Sequence, residues 1–484
     1  MTAYATNAGS SSSSTRDWPT LSSRSVSPNV IGVSGLQGPL SAPGGPYLHD
    51  QLGRTVFLHG VNAVYKFPPY ELFPDKGKAW NFDYSDAELM AKLGFNVVRL
   101  GMTWSGLEPG TAPANDPAIC SSGLPSDPHQ FNQTILDTYL QRLKQTVDEL
   151  GRYHIYSLLD MHQDVYNEMF DGEGAPNWAV CTGNIPVGEA PGRWSNNYAM
   201  GAADAAYAHF WNNDVVGNLQ GEFDRVWTAV ASYFANDPWV VGYDPYNEPF
   251  SISLLNFKDE QFDSKLECFY VGKLLPRIPV AGQPVISCPP SDPNQGLIQQ
   301  IEAADPNHLV FYEPDIYTRR GSTNFVGAMN LPRLVFNFHD YCSFRSGTTG
   351  NPTDLMACSN QEANTMSKRS EDRPELSSPA QPGGPAWFMS EFGATSNSML
   401  LGQLAADADN YLLGWSYWSW KYYNDPTGSG DEALVNPSGK LRTTVTALSR
   451  AYPVAIAGVP TAMSSNATTS IFNLTYKPNH NIAA

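Results

Sequence analysis

The sequence predicts an α/β protein, a (β/α)8 TIM barrel with long βα loops, followed by a short C-terminal segment of β type. Apolar runs of strand length alternate with helical periods, eight such runs occur, and the longest connections follow strands. An open doubly wound sheet would show the same alternation, so the count of eight decides between the two folds. The sequence also lacks the G-x-G-x-x-G fingerprint that would favour a dinucleotide-binding sheet.

The eight strand candidates are short runs rich in β-branched and aromatic residues. In chain order they read TVFLHGV, FNVVRLG, IYSLLDM, WVVGYD, LVFYE, LVFNFHD, AWFMSEF and GWSYWSW, beginning at Thr55, Phe95, Ile155, Trp239, Leu309, Leu334, Ala386 and Gly414.

Helical patterns separate these strands. Ser85 and Glu88 have the spacing of a capping box that opens a helix. The stretch from Gln133 places leucines and a valine on one face and ends at Gly151, as a helix C-cap should. A third amphipathic stretch covers 221–234.

The connections give an independent test of the barrel. Those that enter strands are short, whereas four that leave strands run to roughly 30–55 residues, far beyond ordinary loops. Because the active sites of such barrels lie at the carboxyl ends of the strands, these loops predict an active face there.

We expect three parts along the 484 residues: a flexible N-terminal tail over 1–30, the catalytic barrel over 31–449 and a C-terminal β segment over 450–484. The last part is too short for an independent β-domain. It is either a strand pair packed on the barrel or the start of a truncated β-sandwich domain.

The balance of charge limits the partners. Lys and Arg total 29 against 47 Asp and Glu, so the net charge is −18. Such a protein repels nucleic acid phosphates and anionic membranes, and we expect no nucleic acid partner. Contact with a lipid surface or micelles would be transient and apolar, and we expect a monomer.

Six cysteines form an even set in predicted loops, which favours disulfides and an oxidising compartment. Spacing suggests the pairs Cys268–Cys288 and Cys342–Cys358, which leaves Cys120–Cys181, although 15 connectivities are possible. Free loop thiols in a cytosolic protein are the alternative. We expect a secreted protein whose signal peptide is absent from this sequence, because the N-terminus lacks a basic region followed by an apolar core.

Two carboxylates follow strands in similar settings. Glu248 lies in YDPYNEPF after the fourth strand, and Glu391 lies in WFMSEFG at the seventh. Cleavage of a glycosidic bond with retention needs two carboxyl groups about 5–5.5 Å apart. Both strands end at the active face, so the pair predicts a glycosidase, and a helix cap or a surface ion pair is the structural alternative for either residue.

Six motifs in order together resemble glycoside hydrolase family 5: VVRLG, DMHQD, NEP, FHDY, SEFG and GWSYWSWK. That family uses this barrel and a retaining double displacement. Within it, GVNAVYKFPPY, LGMTWSGLEPG and LLDMHQDVYNEMF resemble the endoglycoceramidases, which release an intact oligosaccharide from the ceramide of a glycosphingolipid. The resemblance covers about 53–454 and implies a glycosphingolipid substrate and no cofactor.

The resemblance also implies roles for residues in these motifs. Glu248 becomes the acid/base and Glu391 the nucleophile. Arg99 lies in an apolar strand, where a charge is costly unless it meets a carboxylate, and the resemblance directs it at Glu391. Tyr341 is expected to hydrogen-bond the nucleophile, and Asn247 to hold the sugar 2-hydroxyl.

Further sugar contacts are implied for four polar side chains: Lys66, His162, Asp164 and His339. Trp420 is expected to form the stacking floor under the sugar, while Trp418 is a candidate core residue. His162 and Asp164 can also be interpreted as metal ligands. We predict no metal, because Cys or His ligands at a useful spacing are missing and a retaining glycosidase needs none.

The loop after Glu248 is strongly apolar and would either cover the barrel or form a groove for acyl and sphingoid chains. Its large apolar residues are Leu254, Leu255, Phe257, Phe262, Phe269, Leu274 and Leu275. A glucosylceramidase or a polysaccharide endo-β-glycanase of the same fold is the alternative function. A non-catalytic carbohydrate- or lipid-binding barrel is less favoured, because a binding protein gains nothing from two adjacent carboxylates that repel each other.

Overall fold

The computed structural model confirms the barrel. It describes residues 36, 38–120, 131–188, 194–213, 218–251, 260–273, 288, 295–322, 324, 326–342, 352–466 and 469–482. Eight parallel strands close in chain order, with the last pairing to the first. They are β1 His59–Ala63, β2 Val97–Met102, β3 Tyr156–Met161, β4 Val240–Asp244, β5 Leu309–Tyr312, β6 Leu334–Asp340, β7 Ala386–Phe392 and β8 Gly414–Tyr417.

The first predicted strand divides into two in the structure. Thr55–Val56 pairs antiparallel with Leu48–His49 and with Ala455–Ile456, and this small sheet lies outside the barrel. The Phe57 amide donates to the carbonyl of Val454, so the chain is still bonded to the outer segment at this point. The barrel strand begins only at His59 for that reason.

In the part of the chain that the structure describes, seven helices follow the strands: α1 Tyr84–Lys92, α2 Gln133–Gly151, α3 Leu219–Phe234, α4 Leu297–Ala304, α5 Pro352–Glu375, α6 Ser398–Asn410 and α7 Val445–Leu448. The loops add short helices at Trp104–Leu107, Pro117–Cys120, Gly201–Asn212 and Glu260–Val271, and 3-10 turns at Glu168–Phe170, Asn177–Ala179, Trp194–Ala199 and Ile316–Arg320. Between β5 and β6 the described residues hold only the last of these turns. The fifth repeat therefore departs from the regular alternation that the sequence predicts.

The predicted cap of α1 is wrong by two residues. Asp83, not Ser85, is the N-cap: its side chain accepts from the Ser85 amide at 2.9 Å, and its own amide donates to Asp86 at 3.3 Å. A carboxylate at both positions forms the reciprocal pair without Glu88. The end of α2 also differs, because Gly151 is its last helical residue and Arg152 caps it in a right-handed conformation.

The C-terminal segment forms a two-stranded antiparallel ribbon, Gly458–Asn466 with Ile471–Pro478. Ile456 and Met463 pack on Phe57 at the outer sheet. Asp409 of α6 accepts from the Ser465 amide at 3.1 Å, which ties the ribbon to the barrel. The three-part division of the chain stays a prediction, and 1–35 lie outside the described residues.

Three disulfides join the cysteines in the pairs suggested by their spacing: Cys120–Cys181, Cys268–Cys288 and Cys342–Cys358. Their placement wholly in loops is wrong, since Cys120 lies in the helix Pro117–Cys120, Cys268 in the helix Glu260–Val271 and Cys358 in α5. Among the helices of the described residues, none combines the length and apolarity that a membrane crossing requires.

Candidate active site

Glu248 and Glu391 meet at the carboxyl ends of the strands. Glu391 is the penultimate residue of β7, and Glu248 follows β4. One carboxyl oxygen of each, together with a ring nitrogen of His339, all lie within 4.8 Å of one another. An inverting pair needs about 6.5–9.5 Å to admit a water molecule, so this spacing suits retention.

Glu248 has a left-handed backbone, with φ of 43°. The proline that follows disfavours the right-handed helical region, and a non-glycine residue with positive φ persists only when its surroundings hold it. Here the Glu248 amide donates to Glu313 Oε2 at 3.0 Å, and His339 Nδ1 lies 3.0 Å from Glu248 Oε1. These contacts fix the carboxyl group towards Glu391.

Glu391 accepts hydrogen bonds at both oxygens. The Tyr341 hydroxyl donates to Oε2 at 2.7 Å, and Arg99 Nη1 donates to Oε1. Burial raises the pKa of Glu391, while the positive charges of His339 and Arg99 act in the opposite direction. The two donors stabilise the ionised form that a nucleophile requires.

Arg99 is more than the partner of one carboxylate. Its fully buried guanidinium also contacts Asp160 at 2.8 Å, Asp244 at 2.9 Å and Glu313 at 3.1 Å. Burial alone would lower the pKa of Arg99, but these carboxylates and Glu391 raise it well above its usual range. The sequence predicts only the pair with Glu391, whereas the structure has one cation at the centre of four carboxylates.

His339 is the second cation of the site. Its Nε2 lies 3.1 Å from Glu313, and its Nδ1 lies 3.4 Å from Glu391 and close to Glu248. Burial opposes the charged form, but Glu313 and Glu391 outweigh it and hold the pKa of His339 well above its usual range. The carboxyl groups around the imidazole therefore favour its protonated form.

Asn247 and His162 border this pair. The Asn247 amide donates to the carbonyl of Gln163 at 2.9 Å, and its oxygen accepts from Arg99 at 2.9 Å. His162 Nδ1 lies 2.8 Å from Asp160, and its Nε2 has no hydrogen-bond partner among the described residues. That nitrogen lies 3.7 Å from Asp164 and 3.9 Å from Glu173, so the imidazole connects the two acidic clusters of the site.

Lys66 lies beside a second cluster, which is formed by His162, Asp164 and Glu173. One side-chain nitrogen or oxygen atom of each of these three residues lies within 4.8 Å of the other two. Its ammonium bonds to Asp164, lies 3.4 Å from Glu173 and donates to Thr427 Oγ1 at 2.8 Å. The Lys66 side chain is only 1% exposed. The ammonium is the cation that pairs with these carboxylates and orients the cluster. Because it is enclosed by them, Lys66 has little surface left for a sugar.

The expectation for Trp420 is wrong. Trp420 is fully buried, and its indole N–H donates to Asp86 at 2.9 Å. Trp418 instead stacks on His162 with ring centroids 5.3 Å apart and lies under the Lys66 ammonium at 4.7 Å. Positions 418 and 420 have the same strand parity, so the alternation of faces does not distinguish them, and β8 ends at Tyr417, before either tryptophan.

Four acidic residues of the site have no catalytic or sugar-binding role in the prediction from the sequence: Asp160, Glu173, Asp244 and Glu313. Three of them stand in or directly after apolar strand runs, the same signal that singles out Arg99. A buried carboxylate requires a partner as much as a buried guanidinium does. Applied to both signs of charge, that rule would have found the three.

Two predicted members of the apolar loop are core residues. Phe262 and Phe269 are buried and pack edge-on against Trp211. The other five, Leu254, Leu255, Phe257, Leu274 and Leu275, lie outside the described residues. The loop therefore adds no described groove for a lipid.

Comparison with known proteins agrees with this geometry. The family model described as cellulase (glycosyl hydrolase family 5) matches residues 63–424. The chain is 28% identical to an endoglycoceramidase I of Rhodococcus hoagii over 90% of this chain and 76% of that protein. It is 26% identical to an endoglycoceramidase of Hydra vulgaris over 89% of this chain and 76% of that protein.

A solved structure shares the fold. It is endo-glycoceramidase II from Rhodococcus sp., which is 23% identical over 91% of this chain and 88% or 89% of its own in the two structures. It is known as a lactosyl-enzyme intermediate, with a TM-score of 0.67 to this chain, and in complex with ganglioside GM3, with a TM-score of 0.64. With its barrel, its close carboxylate pair and a family match over most of its length, the chain belongs to glycosyl hydrolase family 5.

Proposed function

We propose that this protein is an endoglycoceramidase, a retaining endo-glycosidase that hydrolyses the β-glycosidic bond between the oligosaccharide and the ceramide of a glycosphingolipid. The spacing of Glu248 and Glu391 carries the reaction type. The substrate class is supported by the endoglycoceramidases that match about nine-tenths of the chain.

The reaction proceeds in two displacements. Glu391 attacks the anomeric carbon while the carboxyl group of Glu248 protonates the oxygen that leaves with the ceramide. The glycosyl bond to Glu391 is then hydrolysed by water, whose proton Glu248 accepts. Tyr341 and Arg99 orient the attacking carboxylate, and the protonated His339 stabilises negative charge on both residues.

Release of intact glycan is the decisive test. The protein is incubated separately with ganglioside GM3, lactosylceramide, glucosylceramide and cellulose, and the products are analysed by mass spectrometry. We expect free ceramide and the intact oligosaccharide from the first two substrates, and no products with the Glu391→Gln variant. Glucose from glucosylceramide alone would identify a glucosylceramidase, and cleavage of cellulose alone would identify a polysaccharide endo-β-glycanase.

The proposal includes a secreted monomer that contacts lipid surfaces or micelles transiently. The three disulfides support an oxidising compartment, and the net charge of −18 disfavours a lasting attachment to anionic lipid. Sedimentation of the protein alone tests whether it is a monomer, and sedimentation with GM3 micelles tests whether its contact with lipid is transient. A stable dimer, or permanent association with the micelles, would contradict them.

A further inference from the structure

Tyr341 lies just beyond the part of the barrel that strand pairing holds. The pairing of β6 with β7 ends at Asp340 and Phe392, one residue before Tyr341. Its hydroxyl nevertheless donates to Glu391 at 2.7 Å, where Glu391 is buried and Tyr341 is half-buried. A hydrogen bond of this kind depends steeply on geometry, so other contacts must fix the tyrosine backbone.

Those contacts come from α5. The Gln361 side-chain amide donates to the backbone carbonyl of Tyr341 at 2.9 Å. The next residue, Cys342, is joined to Cys358 by a disulfide. Cys358 and Gln361 are three residues apart and therefore share one face of the helix. The last residue of β6 faces Thr365, one further turn along the same face.

We propose that Gln361 and the Cys342–Cys358 disulfide are positioning residues for catalysis. They hold the Tyr341 backbone so that its hydroxyl fixes Glu391 Oε2, while Arg99 fixes Oε1. Cys358 is fully buried, and the link spans 16 residues of sequence, so it restricts the chain after β6 strongly. The inference deepens the proposed function, in that it takes Glu391 to be the nucleophile of a glycosidase.

A double-mutant cycle tests the proposal on a soluble aryl β-glycoside, which requires no lipid. Gln361→Glu keeps the shape of the side chain but removes the amide donor, and Cys342→Ser with Cys358→Ser removes the link. Each is expected to lower kcat about tenfold with little change in KM, the cost of a weakened hydrogen bond to a charged group. In a Tyr341→Phe background, neither change should lower kcat further.

Matched controls separate positioning from general loss of structure. Asn364→Asp makes the same amide-to-carboxylate change at an exposed position of α5, and Cys120→Ser with Cys181→Ser removes another disulfide. Both should retain the kcat of the wild type. If the cysteine variant does not fold, Gln361→Glu and Gln361→Leu decide the question, since each changes one side chain.

Two results would overturn the inference. One is a full additional loss when Gln361→Glu or the cysteine change is combined with Tyr341→Phe. The other is an unchanged kcat in folded single variants. A wild-type protein that cleaves the aryl glycoside but no glycosphingolipid would refute the substrate proposal alone, whereas one that cleaves no β-glycoside would refute both.

Discussion

Two carboxyl groups with different surroundings divide the chemistry. Glu391 accepts hydrogen bonds at both oxygens, from the Arg99 guanidinium and the Tyr341 hydroxyl, whereas the Glu248 amide donates to Glu313 and Glu248 Oε1 lies 3.0 Å from His339 Nδ1. The first arrangement suits the proposed nucleophile, and the second suits the proposed acid/base. The left-handed backbone of Glu248 is a strained conformation, which persists because the surrounding contacts hold it.

Substitution of the two residues should separate their roles. Glu391→Gln is expected to abolish turnover on every substrate. Glu248→Gln should lower kcat for a poor leaving group by about 10²–10⁴-fold, because proton transfer contributes that much. Glycosylation by an activated dinitrophenyl glycoside should lose far less. Pre-steady-state kinetics with both substrates measures this, and the exposed Glu375→Gln serves as the control. Equal losses of Glu248→Gln on both substrates would argue against the acid/base role.

The two tryptophans after β8 should respond differently. Trp418→Ala removes the ring stacked on His162 and is expected to raise KM roughly tenfold at a modest cost in stability. Trp420→Ala empties a fully buried site and should lower the free energy of unfolding by about 3–5 kcal/mol. Urea denaturation and steady-state kinetics distinguish them. A larger KM effect at Trp420 would restore the prediction made from the sequence.

His162 should make stability depend on pH. Burial lowers its pKa, but Asp160 outweighs burial and the nearby Lys66, so the pKa is raised to about 9. A raised folded-state pKa gives a contribution that is complete below about pH 6.5 and is lost as the pH rises through about 9. The unfolding free energy of the wild type relative to His162→Gln should therefore fall by on the order of 3 kcal/mol across that window.

Urea titrations from pH 6 to pH 10 check this, with the exposed His480→Gln as the matched control. A difference between wild type and His162→Gln that stays constant over the range would show that the imidazole does not gain its proton from folding.

Single elements show where local sequence signals compete. α1 has two candidate caps two residues apart, and the structure uses Asp83. The end of β6 shows a contact between two elements, because the residues that hold Tyr341 come from α5, a helix outside the barrel strands. The catalytic geometry thus depends on a helix that lies outside the strand pairing.

The cap of α1 gives a direct test. Asp83→Ala should lower the free energy of unfolding by about 1 kcal/mol, since the first-turn amide of Ser85 loses its acceptor. Ser85→Ala, at the predicted cap, should change it by less than about 0.5 kcal/mol. Thermal and urea unfolding measure both variants. A larger loss of unfolding free energy for Ser85→Ala than for Asp83→Ala would contradict the assignment.

At the scale of the whole molecule, the disulfides join separate segments of the chain. Cys120–Cys181 joins the loops after β2 and β3, and Cys342–Cys358 joins the end of β6 to α5. Long loops gain most from such links, because the unfolded chain loses the most freedom. Their presence supports the proposed secretion.

Thiol titration checks the cysteines of the purified protein. Denatured but unreduced protein should show no reactive thiols, and reduction should expose six. Six thiols before reduction would remove the main support for an oxidising compartment. Loss of activity in dithiothreitol, with the Cys342→Ser and Cys358→Ser variant as reference, would show how much of the effect comes from that one pair.

The sequence alone determined the class of fold and the proposed catalytic pair. Eight apolar strands separated by helical periods leave a closed parallel barrel as the best solution, and strands that end on the same face bring Glu248 and Glu391 together. Arg99 was also predictable, because a charge inside an apolar strand requires a partner.

Only the tertiary structure decided which groups surround the pair. Glu313 reaches Arg99, His339 and the Glu248 amide at once, and such a convergence joins residues far apart in the chain. The choice of Trp418 over Trp420 depends on where β8 ends, and the support of Tyr341 depends on how α5 packs. Local periodicity describes the faces of one element, whereas a closed barrel brings the ends of eight elements to one place, and their contacts follow from packing rather than from spacing in the sequence.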